Sequence, residues 1–226
     1  LGGLALGSWG ATQAARAIRR PARALAVVQG LVGIVGVASL LAYTRYAERI
    51  ATATHAAIDT SWIRATAIGF AAAAGALLPA TFLMGATFPL ACAAYAEGRR
   101  RLGGAVGRLY AMNTLGAIVG SLAAAFLLIP WWGIQETLVI LAAGNLLMAA
   151  VLALAEGGRG ALKLAVPAVL AALGLVLAPA LRAPLHQPDI GGRLLFYREG
   201  RLSTVSVVEN ADGYKTLHID KIAVAG

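Results

Sequence analysis

The chain has 226 residues, a formal net charge of +9, 59% hydrophobic residues and only 13% charged residues. Because a soluble domain carries about 25% charged residues, and because the mean hydropathy here is +0.76, this composition excludes an ordinary soluble globular protein. The single cysteine, Cys92, excludes an internal disulfide and a cysteine-rich metal site, and we interpret it as a small buried apolar residue. The composition therefore predicts a membrane protein.

Six long uncharged stretches predict a mainly α-helical, polytopic transmembrane bundle over residues 1–181. A helix needs about 20 apolar residues to cross a bilayer, and five of the stretches are long enough, the last of them only just. The first is truncated, because the chain opens inside it with Leu1 instead of Met, so we expect an internal piece of a longer protein. The predicted spans lie at about 1–15, 24–43, 64–95, 106–130, 135–155 and 164–181.

Two clusters of arginines, Arg16–Arg23 and Arg99–Arg108, lie between predicted spans. Basic clusters that flank spans mark the cytoplasmic side and attract anionic lipid headgroups. We therefore predict the bilayer and its anionic headgroups as partners, no nucleic-acid partner, and a multi-pass protein of the bacterial cytoplasmic (inner) membrane. This assignment makes 44–63 an external loop. It also places the tail after Arg182 outside, whereas the basic residues of the tail favour the inside, so the side of the tail stays open.

Small residues recur at intervals of four in two spans, as Gly3 and Gly7 in the first and as Gly116 and Gly120 in the fourth. This spacing lets helices approach closely in lipid, where no hydrophobic drive brings them together. We predict helix packing at both pairs, with a substrate pathway as the alternative.

Three polar residues, Asn113, Thr114 and Asn145, are the candidates for function at membrane depth. Because an asparagine in lipid must find a partner, we favour hydrogen bonds between helices over ligand contacts. Pro79 and Pro89 predict a kink in the third span, with a broken or re-entrant helix as the alternative. No ionisable residue lies deep inside any stretch, which argues against a proton- or ion-coupled transporter.

The chain changes character after the last span. Prolines and glycines predict a linker at 182–192, and apolar and polar residues then alternate on both sides of Asn210–Gly213. This pattern predicts a β-hairpin, and 194–198 is a candidate for a preceding strand. Because two or three strands cannot bury a stable core unaided, we interpret 193–226 as the start of a β-rich soluble domain.

The sequence contains no nucleotide-binding glycine motif, no His-Glu-x-x-His and no carboxylates paired at helical spacing. We interpret the three scattered histidines as surface or structural residues. Asp220 is the one tail carboxylate with a case for substrate binding, against the alternative of a solvated acid at a strand end. We predict no metal site and no catalytic residue in this chain.

Three strings of residues resemble those of one family. Residues 109–121, LYAMNTLGAIVGS, are similar to a signature of membrane-fused spermidine synthase-like proteins, as are 83–90, LMGATFPL, and 3–8, GLALGS. Residues 197–220 are similar to the small β-domain that opens the soluble half of those proteins. The resemblance covers nearly the whole chain in consistent order.

The resemblance implies an aminopropyltransferase architecture, in which a Rossmann domain follows the β-domain. There, decarboxylated S-adenosylmethionine is the co-substrate that donates an aminopropyl group to a diamine, and acidic residues hold and deprotonate the amine. The resemblance also implies a homodimer through the β-domain. It carries over only Asp220, as a substrate-binding residue, because Lys221 and Val224 stand where the family has glycine and glutamine.

These 226 residues do not include a Rossmann half, so we expect them to be inert and to need no cofactor of their own. Two alternatives stay open. The helices are a transporter-like or scaffold module that handles a small amine or a lipid, or they are a plain anchor for an enzyme whose chemistry has diverged.

Overall fold

The structure is a computed structural model that describes residues 1–15, 17–58, 60–96, 102–157, 161–177, 193–200, 203–210, 212–219 and 222–225. In these ranges six α-helices, with a short π-helical segment between the fourth and the fifth, precede four β-strands. The helices are α1 (Gly2–Ala15), α2 (Pro21–Ile58), α3 (Trp62–Ala96), α4 (Leu102–Ala123), α5 (Ile129–Glu156) and α6 (Ala161–Leu177). The strands are β1 (Arg193–Glu199), β2 (Thr204–Glu209), β3 (Lys215–Ile219) and β4 (Ile222–Ala225).

Three segments of the described chain are long and apolar enough to cross a membrane: Pro21–Ala42, Trp62–Tyr95 and Val106–Glu156. The third has 51 residues, and as one straight helix it would be about 77 Å long, more than twice the roughly 30 Å of a bilayer core. It is interrupted at Gly133, whose φ of 84° and ψ of 171° are not helical. This break falls between the fourth and fifth predicted spans.

Helix α2 continues to Ile58, so most of the segment 44–63, predicted as a loop, is helical. The side of the membrane on which this segment lies stays a prediction. Charged residues mark where the apolar stretch ends, but they do not end a helix, and the alanines that follow favour one. Arg49 also lies over the ring of Tyr46, 5.9 Å from its centroid and one turn away. At 38 residues, α2 is about 57 Å long, and its second half therefore extends past the apolar segment Pro21–Ala42.

Helix α3 is one continuous helix although it contains Pro79 and Pro89. Each proline removes one main-chain hydrogen bond, and the remaining turns keep theirs. The third predicted span is therefore not broken in this structure.

The chain divides into two compact units, Leu1–Ala111 with Val139–Ala178, and Met112–Leu138 with Pro179–Gly226. Small residues form the core of the first unit, which lets the helix axes approach closely. One cluster connects α1, α2 and α3 through Ala11, Leu25, Ala86 and Leu90. A second cluster connects α2, α5 and α6 through Ala26, Ala150, Ala153 and Ala165. A third connects α5 and α6 through Ala143, Leu146 and Ala172.

The four strands form an antiparallel meander in the order β1-β2-β3-β4. Strands β2 and β3 pair from Glu209 with Lys215 to Val205 with Ile219, which is the predicted hairpin. Gly213 in their connection has a φ of 81°, a conformation that glycine adopts at little cost. The structure adds β4, which the sequence analysis does not predict. The predicted linker at 182–192 lies outside the described residues.

Candidate functional site

Helices α1 and α3 meet main chain to main chain at Gly3, Gly7 and Gly85, which we call the glycine junction. A Cβ atom on Gly7 would overlap the carbonyl oxygen of Phe82, and one on Gly3 would overlap Oγ1 of Thr81. A Cβ atom on Gly85 would overlap the main chain of α1. The structure thus places the predicted pair Gly3 and Gly7 in a helix contact and adds Gly85, which the sequence analysis does not single out.

A side-chain hydrogen bond joins α2 to α3. Ser39 Oγ donates to the carbonyl oxygen of Ala76 at 2.9 Å, in a half-buried position. The two helices are consecutive and packed together, so this bond shows that the turn of α2 at Ser39 lies beside the turn of α3 at Ala76.

We expect Ser39→Ala to lower the free energy of unfolding by about 0.5–1.5 kcal/mol, because the Ala76 carbonyl loses a donor from the neighbouring helix. Thermal unfolding in detergent micelles measures this loss. Ser121→Ala is the matched control, since Ser121 Oγ donates to Ile118 in its own helix at 3.0 Å. Equal losses of stability in the two variants would contradict a bond that holds α2 to α3.

Four of the predicted residues lie on α4, and all four are exposed: Asn113, Thr114, Gly116 and Gly120. In the described structure, no atom lies within 4 Å of the position that a Cβ atom would take on either glycine. Asn113, Gly116 and Gly120 share one face of the helix, because they are three and seven positions apart. Helix packing at this face stays a prediction.

Asn145, on α5, is half-buried, and its Nδ2 donates to the carbonyl oxygen of Leu141 at 2.9 Å. This is a bond within one helix, of the kind that polar side chains in helices commonly make. One donor of the Asn145 side-chain amide therefore bonds to α5 itself and not to another helix.

Two buried polar residues follow the break at Gly133. Gln135 is 7% exposed and Thr137 is 3% exposed, and Thr137 Oγ1 donates to the carbonyl oxygen of Gly133 at 2.6 Å. The π-helical segment Ala124–Leu128 lies just before the break, and such segments are frequent at functional sites. Gln135 and Thr137 are not among the predicted site residues. Their signal in the sequence is a run of three polar residues, 135–137, that begins two positions after Gly133 in an otherwise apolar stretch.

The sheet brings three polar side chains into one row. Ser206 on β2 pairs with His218 on β3 and with Tyr197 on β1, and Ser206 is 3% exposed. In sites where a histidine activates a serine, a third group usually orients the histidine. Among the described residues of the sheet, the register places no carboxylate in this row. Asp220, the predicted substrate-binding residue, lies outside the described residues.

The basic clusters are described in part. Of these clusters, the structure does not describe Arg16 or Arg99–Arg101. Separately, Cys92 on α3 is a free, half-buried cysteine. The arginines of the two clusters that the structure describes are all exposed: Arg19, Arg20, Arg23 and Arg108. Exposed guanidinium groups beside apolar helices are free to bind phosphate-containing headgroups.

Among the described residues, no group of three or more histidine, cysteine, aspartate or glutamate side chains could hold a metal ion. The described candidates differ in kind, since the glycine junction is a packing contact between helices, whereas buried polar residues lie beside the Gly133 break.

Comparison with known proteins found no matching family model, no matching curated protein and no matching solved structure. The functional assignment therefore depends on the residues of this chain.

Proposed function

We propose that this chain is the membrane-embedded part and the opening β-domain of a spermidine synthase-like protein. The observation that carries the proposal is the antiparallel meander β1–β4 placed after the apolar helices, because the resemblance implies a small β-domain at that place in the chain. In this proposal the helices form about six spans of a bacterial inner membrane protein, and the segment Val106–Glu156 crosses twice, once on each side of Gly133.

The exposed arginines fit this membrane arrangement. In the proposal Arg19, Arg20, Arg23 and Arg108 lie at the cytoplasmic surface and contact anionic lipid headgroups, each such contact contributing about 1 kcal/mol. The β-domain forms a homodimer contact, as the resemblance implies.

The complete protein would transfer an aminopropyl group from decarboxylated S-adenosylmethionine to a diamine. The amine must lose a proton before its lone pair attacks the carbon beside the sulfonium, and the sulfur then leaves as a thioether. A Rossmann domain supplies the acidic residues for these steps, and the meander borders the substrate site, where Asp220 holds the second, cationic amine of the diamine.

We expect the 226-residue chain in lipid nanodiscs to form no spermidine from putrescine and decarboxylated S-adenosylmethionine, as measured by mass spectrometry. The chain extended by a following Rossmann domain should form it, and Asp220→Asn should raise the KM for putrescine about tenfold. Asp212→Asn is the control, because Asp212 is exposed in the turn before β3 and should leave the KM unchanged. Turnover by the 226 residues, or none by the extended protein, would contradict the proposal.

The Gly133 break favours a second candidate, a transporter-like or scaffold module. Interrupted helices with polar groups beside the break form binding sites in transporters, and Gln135 and Thr137 are buried there. The nanodisc sample separates the two candidates when it is titrated with spermidine. Saturable micromolar binding by the 226 residues would favour the second candidate, and the absence of saturable binding would favour the first.

A further inference from the structure

Helix α2 carries exposed arginines at both ends of its apolar part. The apolar part, Pro21–Ala42, has 22 residues and is therefore about 33 Å long, close to the roughly 30 Å of a bilayer core. Arg23 lies in its first turn, Arg45 and Arg49 follow its end, and all three side chains are exposed. The helix thus has two positively charged levels whose separation matches the thickness of the hydrocarbon.

Arg45 and Arg49 are four residues apart and therefore lie on one face of α2. Tyr46 beside them is exposed, and the guanidinium carbon of Arg49 lies 5.9 Å from the centroid of its ring, a distance at which the ring attracts the cation. Glu48 is the one acidic residue in the sequence from 43 to 58. It can balance only one of the two positive charges.

Helix α3 brings a third arginine to the same level. The bond from Ser39 to the Ala76 carbonyl aligns the two helices, which run antiparallel because only a short connection joins them. Arg64 precedes Ala76 by as many residues as separate Ser39 from a position two residues past Arg49. Arg64 is exposed, and so is Trp62 at the start of α3.

We call these exposed residues the arginine band; they are Arg45, Tyr46, Arg49, Trp62 and Arg64. The three arginines lie within about 9 Å along the helix axes. Tryptophan and tyrosine are enriched where a membrane meets water, and long arginine side chains keep their charge in the polar layer while their stems lie along apolar surface. Any bilayer that holds the apolar part of α2 in its core places the phosphates of its lipids at this level.

We propose that the arginine band binds the phosphate groups of anionic phospholipids, in the leaflet opposite to the one that the proposed function assigns to Arg19, Arg20 and Arg23. A guanidinium group offers N–H donors in a planar fork that matches the oxygens of a phosphate. Contacts at both ends of α2 fix its depth in the membrane, and α3 keeps the same depth through its packing on α2. This contact goes beyond the proposed function, because it needs neither the sheet nor any transfer activity.

Thermal unfolding of the purified chain in a neutral maltoside detergent, with and without added phosphatidylglycerol, tests the proposal. We expect the lipid to raise the melting temperature, and we expect the double variant Arg45→Gln, Arg49→Gln to lose about half of this rise, because the arginines at the other end of α2 keep their lipid contacts. The matched control is Arg193→Gln, Arg198→Gln. It removes the same charge from exposed positions of β1 and should keep the full rise.

Three results of this experiment would overturn the proposal. The first is an equal rise in the two double variants. The second is the same rise when inorganic phosphate replaces the lipid, which would identify free phosphate as the ligand. The third is a loss of stability in Arg45→Gln, Arg49→Gln that is equal with and without lipid, which would identify a partner within the protein.

The fluorescence of Trp62 gives an independent, local measurement. With Trp9, Trp131 and Trp132 changed to phenylalanine, Trp62 is the only tryptophan. In nanodiscs, phosphatidylglycerol brominated in the upper part of its acyl chains should quench this fluorescence roughly twofold more than phosphatidylcholine brominated at the same place and present at the same mole fraction, because the band enriches the anionic lipid. Equal quenching by the two lipids would overturn the proposal even if the arginine variants fail to fold.

Discussion

Gly7→Ala is expected to destabilise the helices by about 1–3 kcal/mol, the usual cost of forcing extra atoms into a packed contact. The added Cβ atom would overlap the carbonyl oxygen of Phe82. That oxygen belongs to the main chain of α3, so no side-chain rotation relieves the overlap and α1 must move away from α3. Gly7→Leu should separate the helices and cost more. Thermal unfolding in detergent micelles, followed by the fluorescence of Trp9 on α1, measures the change.

Gly10→Ala is the matched control, because it lies on the same helix one turn later. A Cβ atom there would meet only the ring of Phe82, at 3.8 Å, which is an ordinary contact. Alanine is favoured over glycine inside a helix by about 0.5–1 kcal/mol, so we expect Gly10→Ala to be neutral or stabilising. A Gly7→Ala protein as stable as Gly10→Ala would show that α1 and α3 do not meet at the glycine junction.

The second large effect is expected at the break in the segment Val106–Glu156. Gly133 has a φ of 84° and a ψ of 171°, a conformation found almost only in glycine, and another residue there costs about 1–3 kcal/mol. Gly133→Ala should therefore lower the melting temperature, and Gly133→Val should lower it further. Either change also favours one continuous helix, which exceeds the thickness of the bilayer.

Gly144→Ala separates this effect from a general effect of added side chains. Gly144 lies inside α5, and no described atom lies within 4 Å of its missing Cβ, so alanine there should be neutral or stabilising. Trp131 and Trp132 lie next to the break with ring centroids 6.1 Å apart, and their fluorescence should change in Gly133→Ala and not in Gly144→Ala. A Gly133→Ala protein with unchanged stability and fluorescence would contradict a break at this residue.

The helices that the sequence predicts well are those whose ends coincide with a change in charge. The third span is expected at 64–95 and α3 runs from Trp62 to Ala96, because turn residues end the apolar stretch on one side and arginines on the other. Helix α2 shows the limit of this reasoning, since it continues to Ile58 through polar residues. Charge reports where a helix leaves the lipid, whereas the local helix propensity decides where it ends.

The contacts of the candidate residues are harder to predict than the residues themselves. The pair Gly3 and Gly7 can be identified in the sequence, but the sequence does not show which helix contacts it. Gly85 can therefore be identified as part of this contact only from the structure. Gln135 and Thr137 are missed for a similar reason, because their burial depends on the fold around Gly133. The π-helical segment Ala124–Leu128 has no composition that distinguishes it from its apolar neighbours.

The glycine junction also sets an order of events during synthesis. Helix α1 is synthesised long before Thr81, Phe82 and Gly85. The part of α3 that α1 contacts in the folded protein therefore does not yet exist when α1 enters the membrane. The face of α1 that carries Gly3 and Gly7 therefore has no contact with α3 until α2 and α3 as far as Gly85 have been made. A slow codon or a stall between α2 and α3 would then lengthen the time during which the first helix is open to degradation.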